Sequence, residues 1–221
     1  MAAKKADKEK LKKKRWMPIV SPELFGDEPI GETLVAAQED MIGKPLVCNL
    51  MNLANEVRKQ NINVKFKIVS VKDNRAVADI IGYQVTPSSI KRLVRRRHKR
   101  LDDSERFATR DGFIVRIKSL MITRTPASRR VGSDLKRAAR KFIATQARDK
   151  PYIELAYSII SGALQDEMKR NLGKIFPLKV CDIKSFDLIP GQKAEPLPPA
   201  EPKAEPEKAQ MNDASSEDSN I

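Results

Sequence analysis

The chain has 221 residues, of which 43 are Lys or Arg and 29 are Asp or Glu, giving a formal net charge of +14 and an isoelectric point near 9.8. A chain this basic is typical of proteins that bind nucleic acid or an anionic membrane surface. No apolar run approaches the roughly 18 residues that a membrane span needs, and the first residues lack the apolar segment of a signal peptide. We therefore expect an unsecreted protein with no membrane partner.

Two segments poor in large apolar residues flank the predicted core. Residues 1–15 carry eight basic and two acidic side chains, whereas residues 191–221 carry five prolines, seven acidic residues and three lysines. Such segments bury too little apolar surface to fold alone, so we predict a disordered basic tail and a disordered, proline-rich acidic tail. Residues 16–190 remain, enough for one hydrophobic core, and they predict a single domain.

The first part of the core is interrupted by prolines and glycines as far as Gly31. This predicts an irregular lead into a strand at residues 32–36. A second strand is predicted at residues 44–50. Residues 51–60 fit either a short helix or an extended loop.

Two hairpins are predicted further along the chain. Alternating apolar residues over 62–68, the turn pair Asp73-Asn74 and an extended return over 76–85 indicate the first, with one solvent-facing side. Asp111-Gly112, the strongest two-residue hairpin signal in the chain, leads into the apolar run FIVRIKSLMI of the second. The apolar phase of that run shifts near Ser119, which predicts a bulge.

The most basic stretch is residues 90–100, IKRLVRRRHKR, in which seven of eleven residues are Lys or Arg and none is acidic. Thr86 before Pro87 is a helix start signal, and apolar residues at 90, 93 and 94 keep helical spacing. We therefore predict a helix across this stretch. A charged helix face is often simply solvated, but without a carboxylate no i,i+4 ion pair offsets the repulsion. An external polyanion is the favoured counter-charge.

A second cationic helix is predicted from Ser133, with an apolar stripe from Leu135 to Ile143 and basic residues opposite. Two short helices follow Pro151. Residues 178–188 are predicted as a late strand inserted into the sheet. Because strands and helices are grouped and do not alternate, the predicted class is α+β, with a mixed, mostly antiparallel sheet flanked by amphipathic helices.

Few residues suit catalysis, metal binding or a cofactor. His98, the only histidine, lies among basic residues with no carboxylate to orient it as a general base. Cys48 and Cys181 form no CxxC pair, so we interpret them as small hydrophobic residues in a reducing compartment. The glycines are too isolated for a phosphate-binding loop. We expect no enzymatic activity, resident metal, cofactor or small-molecule substrate.

A metal-dependent nuclease is the enzymatic alternative, because two-metal hydrolysis needs several gathered carboxylates. The candidates are Asp79, Asp102, Asp103, Glu105 and Asp111. The favoured interpretation is structural: Asp111 serves the turn, Asp102 and Asp103 end a linker after the basic helix, and only Asp79 lies in a strand.

Aromatic residues make up 5% of the chain, and no strand combines them in the pattern of single-strand RNA modules, so base stacking is not expected as the main mode of binding. Zinc-finger spacing and zipper heptads are also missing from the sequence. Phosphate contacts from two cationic helices, a basic loop and a basic tail remain, and they suit folded RNA. The candidate contacts are Lys12, Lys13, Lys14, Arg15, Lys91, Arg92, Arg95, Arg96, Arg97, His98, Lys99, Arg100, Arg124, Arg129, Arg130, Lys136, Arg137, Arg140 and Lys141.

Several blocks of the sequence also follow one another in a familiar order. They are KKKRW, VSPELFGDEPIGETLV, IGKPLV, NVKFKIVSVKDNRAVADIIGYQVTPSSIKRLVRRR, DGFIVRIKSLMITR, SRRVGSDLKRAARKF and IFPLKVCDIKSFDLI. Over about residues 10–190 the chain resembles the archaeal and eukaryotic small-subunit ribosomal protein family S-one-e, formerly S-three-A-e. The short segment between Asn49 and Asn63 looks archaeal.

The resemblance implies a mixed α+β domain with a β-barrel-like sheet. It also implies a place on the platform of the small subunit, beside the messenger exit region and the 3′ end of the small-subunit RNA. The expected function is thus that of a non-catalytic, cytoplasmic ribosomal protein. Its expected partners are ribosomal RNA and neighbouring ribosomal proteins, with messenger RNA near the exit site as a further candidate. A free RNA- or DNA-binding regulator is the non-enzymatic alternative.

Overall fold

The computed structural model describes residues 14–22, 25–26, 29–72 and 75–193, with side chains described as far as residue 189. These ranges contain eight strands and five α-helices. In chain order they are β1 (Arg15–Val20), β2 (Pro29–Val35), β3 (Pro45–Asn49), α1 (Leu50–Ala54), β4 (Ile62–Lys72), β5 (Arg75–Val85), α2 (Pro87–Leu93), β6 (Arg100–Ala108), β7 (Phe113–Thr123), α3 (Arg129–Asp149), α4 (Tyr152–Ser161), α5 (Ala163–Gly173) and β8 (Leu178–Lys193). Most of the two predicted tails lies outside the described residues.

All eight strands belong to one sheet, in the order β2-β1-β5-β8-β7-β6, with β4 also pairing with β5 and β3 with β4. The pairings are antiparallel except for a short parallel contact of Ile19 and Val20 with Ala76 and Val77. Within the described ranges β2, β3 and β6 each pair on one side only, so the sheet is open and branched. The predicted α+β class and the mostly antiparallel sheet are confirmed, whereas barrel-like closure is not.

Strand β8 joins the two parts of the sheet and supplies the centre of the core. It lies between β5 and β7 and pairs with both, as predicted for a late inserted strand. Phe186 of β8 is fully buried, and its ring stacks on Tyr152 of α4 at a centroid distance of 5.6 Å. At Gly82 of β5 an added Cβ would lie 2.8 Å from the Phe186 carbonyl oxygen, so the close β5–β8 pairing requires glycine.

Both predicted hairpins are confirmed. β4 pairs with β5, and β6 pairs with β7, although the turn residues 73–74 of the first lie outside the described residues. The second hairpin has a four-residue loop, residues 109–112, in which the Thr109 amide donates to the Phe113 carbonyl at 2.9 Å. The β7–β8 register shifts between Lys118 and Ser119, which confirms the predicted bulge.

The irregular lead predicted before residue 32 is wrong, because strand β1 begins at Arg15. Met17 and Ile19 of β1 are buried, and the strand pairs with β2 along its length. Pro18 argues against a strand in the sequence, because proline cannot donate a hydrogen bond to a neighbouring strand. It is tolerated because β1 pairs with β5 only at its last two residues, which leaves Pro18 in a stretch with a partner on one side.

Candidate nucleic-acid interface

The basic stretch at residues 90–100 does not form one helix. α2 ends at Leu93, Val94 has an extended backbone (φ −81°, ψ 116°) and Arg100 begins strand β6. The predicted helix over 90–100 is therefore wrong beyond Leu93. Consecutive like charges with no acidic neighbour do not stabilise a helix, and Leu101, the next large apolar residue, is buried in β6.

The start of α2 agrees in part with its sequence signal. Thr86 occupies the N-cap position and Pro87 lies in the first turn, but the Thr86 hydroxyl makes no capping hydrogen bond. Ile90 is buried against Leu120 and Ile122 of β7. This contact holds the short helix against the sheet and thereby positions the arginines that follow it.

Arg95, Arg96 and Arg97 form a tight, exposed turn, hereafter the arginine turn. The His98 amide donates to the Arg95 carbonyl at 3.4 Å, and Arg97 adopts a left-handed backbone with φ +68°. A non-glycine residue in this region costs roughly 1–2 kcal/mol. Three neighbouring guanidinium groups are thus presented from a loop, where a helix would have spread them around its surface.

Lys99 connects the arginine turn to the segment before α3. Its ammonium donates to the carbonyls of Ala127 at 3.0 Å and Ser128 at 2.7 Å. Its amide donates to the Thr123 hydroxyl at 3.0 Å, and the Thr123 amide donates to the Lys99 carbonyl at 3.0 Å. Lys99, a predicted RNA contact, is therefore occupied in holding two basic loops side by side.

Helix α3 begins at Arg129, four residues before the predicted start at Ser133. The Ser128 hydroxyl caps it by accepting from the Val131 amide at 3.3 Å. Arg129 and Arg130 consequently lie in the first helical turn and not in a loop, and that turn has no acidic residue. Its amides add positive potential beside these arginines.

One set of exposed cations, from α2, the arginine turn, the end of β7 and the start of α3, has no side-chain partner within the described part of the chain, whereas Arg92 of α2 donates to the Asn61 side chain at 3.5 Å. We call this set the cationic surface. Its members are Lys91, Arg95, Arg96, Arg97, Arg124, Arg129 and Arg130. Unpaired guanidinium groups gathered in this way suit phosphate oxygens.

The predicted stripe of α3 is confirmed, since Leu135, Ala139 and Ile143 are buried. On the opposite side Arg140 has carboxylate partners within the protein, and its phosphate contact stays a prediction. Its guanidinium binds both Asp103 oxygens, at 2.6 and 2.7 Å, and Glu105 at 2.9 Å. This hydrogen bond lowers the pKa of Asp103 below its usual range. Arg140 thus ties α3 to β6.

Other predicted contacts are partly engaged or lie elsewhere. Arg100 pairs with Asp102 at 2.8 Å and Arg137 with Asp134 at 3.6 Å. Lys14 and Arg15 are exposed at the start of β1, and Lys12 and Lys13 lie outside the described residues. Lys136 and Lys141 lie on α3, Lys141 exposed and Lys136 half-buried; Arg92 lies near the end of α2, and His98 follows the arginine turn. Phosphate contact by these residues stays a prediction.

Replacing Asp103 by Asn is expected to lower the free energy of unfolding slightly at neutral pH. Because Arg140 depresses the folded-state pKa of Asp103, the carboxylate stabilises the fold above its unfolded pKa of about 4, and this contribution is lost as the pH falls through the lower folded pKa. Urea unfolding at pH 7 and pH 3 measures the effect. The difference between wild type and variant should shrink in acid; a difference that grows there would contradict this assignment.

Asp103 and Glu105 share Arg140, but the carboxylates considered for a nuclease do not form a metal site within the described residues. Asp102 and Asp103 lie within strand β6 and not in a linker, which corrects the sequence interpretation. Asp111 accepts a hydrogen bond from the Tyr152 amide at 3.0 Å, so it also holds the start of α4. No group of three or more His, Cys, Asp or Glu residues in the described ranges could hold a metal ion.

A model of the ribosomal S3Ae family matches residues 2–190. The chain belongs to the ribosomal S3Ae family. It is 29% identical over 201 residues to small ribosomal subunit protein eS1 of Methanothrix thermoacetophila, covering 91% of this chain and 94% of that one. Proteins of the same name from Methanococcus maripaludis (30% over 195 residues, 88% and 87% covered) and Sulfurisphaera tokodaii (25% over 189 residues, 86% and 98% covered) also match.

Membership of the S3Ae family confirms the resemblance found in the sequence blocks. The family consists of ribosomal proteins and not of enzymes, so the expectation of a non-catalytic protein is also confirmed. The described helices of this family member include none that is both long and apolar enough to cross a membrane.

Proposed function

We propose that this protein is a structural constituent of the small ribosomal subunit that binds and stabilises small-subunit ribosomal RNA. The observation that supports this most is the cationic surface. It collects unpaired cations from two separate parts of the chain, residues 91–97 and 124–130, which Lys99 holds side by side. Relatives of the whole chain carry the name of a small-subunit protein. The protein would act in the cytoplasm as part of the ribosome.

The finer proposal places the protein on the subunit platform near the messenger exit region, in contact with neighbouring ribosomal proteins. The family resemblance is the support for this location. The cationic surface would then lie against folded RNA, because contacts to phosphates read the shape of a backbone more than its base sequence. Messenger RNA near the exit site is a further candidate partner.

Binding of the full-length chain to small-subunit RNA across a salt series tests the RNA contact. Each phosphate neutralised contributes about −0.7 to −0.9 to the slope of log K against log salt concentration. Engagement of most of the cationic surface therefore predicts a slope of roughly −4 to −6. A slope near zero would contradict binding through phosphate contacts.

Sedimentation of the cellular protein tests its place in the subunit. A ribosomal constituent should co-sediment with small subunits, whereas a free RNA- or DNA-binding regulator would remain near the top of the gradient. Cross-linking within purified subunits would then show whether its neighbours include the 3′ end of the small-subunit RNA, as a platform location requires.

A further inference from the structure

The only tryptophan of the chain lies exposed, away from the cationic surface. Trp16 of β1 is 66% exposed, although Met17 and Ile19 on the other side of the strand are buried. It faces outward beside Leu34 of β2, which is 42% exposed. β1 and β2 lie at the opposite end of the strand order from β6 and β7. The core does not account for an indole in this position.

A cavity of about 300 Å³ adjoins the indole, at the lower end of the range for ligand sites. Arg15 and Arg75 contribute to its wall together with Trp16, and none of the lining residues in the described part of the chain is acidic. Both arginines are exposed and have no ion-pair partner among the described residues. The site therefore combines one aromatic face with two available guanidinium groups.

We propose that Trp16 is a stacking platform for an unpaired nucleobase of RNA, with Arg15 and Arg75 binding the flanking phosphates. Aromatic faces stack on any base, and arginine supplies bidentate contacts to phosphate, so the two residue types match the two parts of a nucleotide. The inference rests on the proposed RNA-binding function. It adds a single-stranded contact to the backbone contacts of the cationic surface.

The charge at the site favours RNA over an apolar protein surface as its occupant. A protein patch that covered Trp16 and Leu34 alone would desolvate Arg15 and Arg75 without supplying a counter-charge, which costs free energy. A nucleotide supplies the anion and the flat apolar surface together.

Fluorescence of the full-length chain tests the proposal directly, because Trp16 is its only tryptophan. The probe is a single-stranded RNA hexanucleotide of mixed sequence, compared with the same strand in a duplex. The single strand should quench the indole emission at saturation, and the duplex should quench it less, since its bases are already stacked. Stacking would be contradicted if the single strand did not quench the emission, or quenched it no more than the duplex.

Variants separate stacking from charge. Trp16→Ala should weaken hexanucleotide binding about tenfold while leaving the salt slope unchanged, and Trp16→Phe should retain most of the affinity. Arg15→Gln and Arg75→Gln should each reduce the slope by about one. Tyr157→Ala, which removes a ring that is 51% exposed on α4, is the matched control and should change neither quantity.

Two outcomes would overturn the proposal. Unchanged hexanucleotide affinity in Trp16→Ala is the first. The second is quenching by the single strand that does not exceed quenching by the duplex. If the first outcome came with loss of Trp16→Ala from small subunits, it would identify a protein contact instead. Failure of the proposed function is distinguishable, because it appears as weak, salt-insensitive binding of wild-type protein to folded small-subunit RNA, whatever the result at Trp16.

Discussion

Replacing Arg95, Arg96 and Arg97 together by Gln is expected to weaken binding to small-subunit RNA roughly 100- to 500-fold at about 0.1 M salt. The three guanidinium groups are exposed, unpaired within the described residues and held in one turn. Loss of three phosphate contacts should also reduce the magnitude of the salt slope by roughly two to three. Filter binding or fluorescence anisotropy across a salt series measures both quantities.

A control for this experiment must remove equal charge from elsewhere on the surface. Arg58, Arg110 and Arg170 are exposed and lie outside the cationic surface, so the corresponding triple Gln variant should lose much less affinity. Equal losses in the two triple variants would show that only net charge matters and would contradict a defined interface. A companion variant with Glu at 95, 96 and 97 should fail to enter small subunits while keeping its unfolding midpoint.

Replacing Phe186 by Ala is expected to lower the free energy of unfolding by about 3–5 kcal/mol. Phe186 is fully buried on the strand that joins β5 to β7, and its removal leaves a cavity beside Tyr152. Because domains are typically stable by only about 5–15 kcal/mol, this loss is a large fraction of the total stability. Urea unfolding followed by circular dichroism measures the change.

The neighbouring ring provides a graded comparison for this core. Tyr152→Phe keeps the ring and removes the hydrogen bond that the hydroxyl donates to the Ile80 carbonyl at 2.8 Å. Its expected cost is about 1 kcal/mol. If Phe186→Ala cost no more than Tyr152→Phe, β8 would not have the central role in the core that its burial indicates.

Local patterns predicted the elements whose periodicity is set by core packing. The stripe of α3 with Leu135 and Ile143 buried, the β6–β7 hairpin and the inserted strand β8 all appear where the sequence placed them. In each case apolar residues recur at the period of the element, and burial follows from that period.

The start of strand β6 shows why some element boundaries escaped prediction. Its side toward α3 carries Asp103 and Glu105 where an apolar pattern would be expected, and Arg140, 37 residues after Asp103, pairs with both. A carboxylate beside an arginine that distant carries no local signal. Local spacing therefore predicts that the helix continues through residue 100, where β6 in fact begins.

Composition and local periodicity predicted the basic character and the α+β class, and the ordered sequence blocks identified the family by resemblance. Only the tertiary structure decided which cations are available. Lys99 binds backbone carbonyls and Arg140 binds carboxylates of another element. The cations of the arginine turn and of the first turn of α3 remain unpaired within the described residues. Availability depends on long-range partners, and these are fixed by how the sheet and α3 pack together.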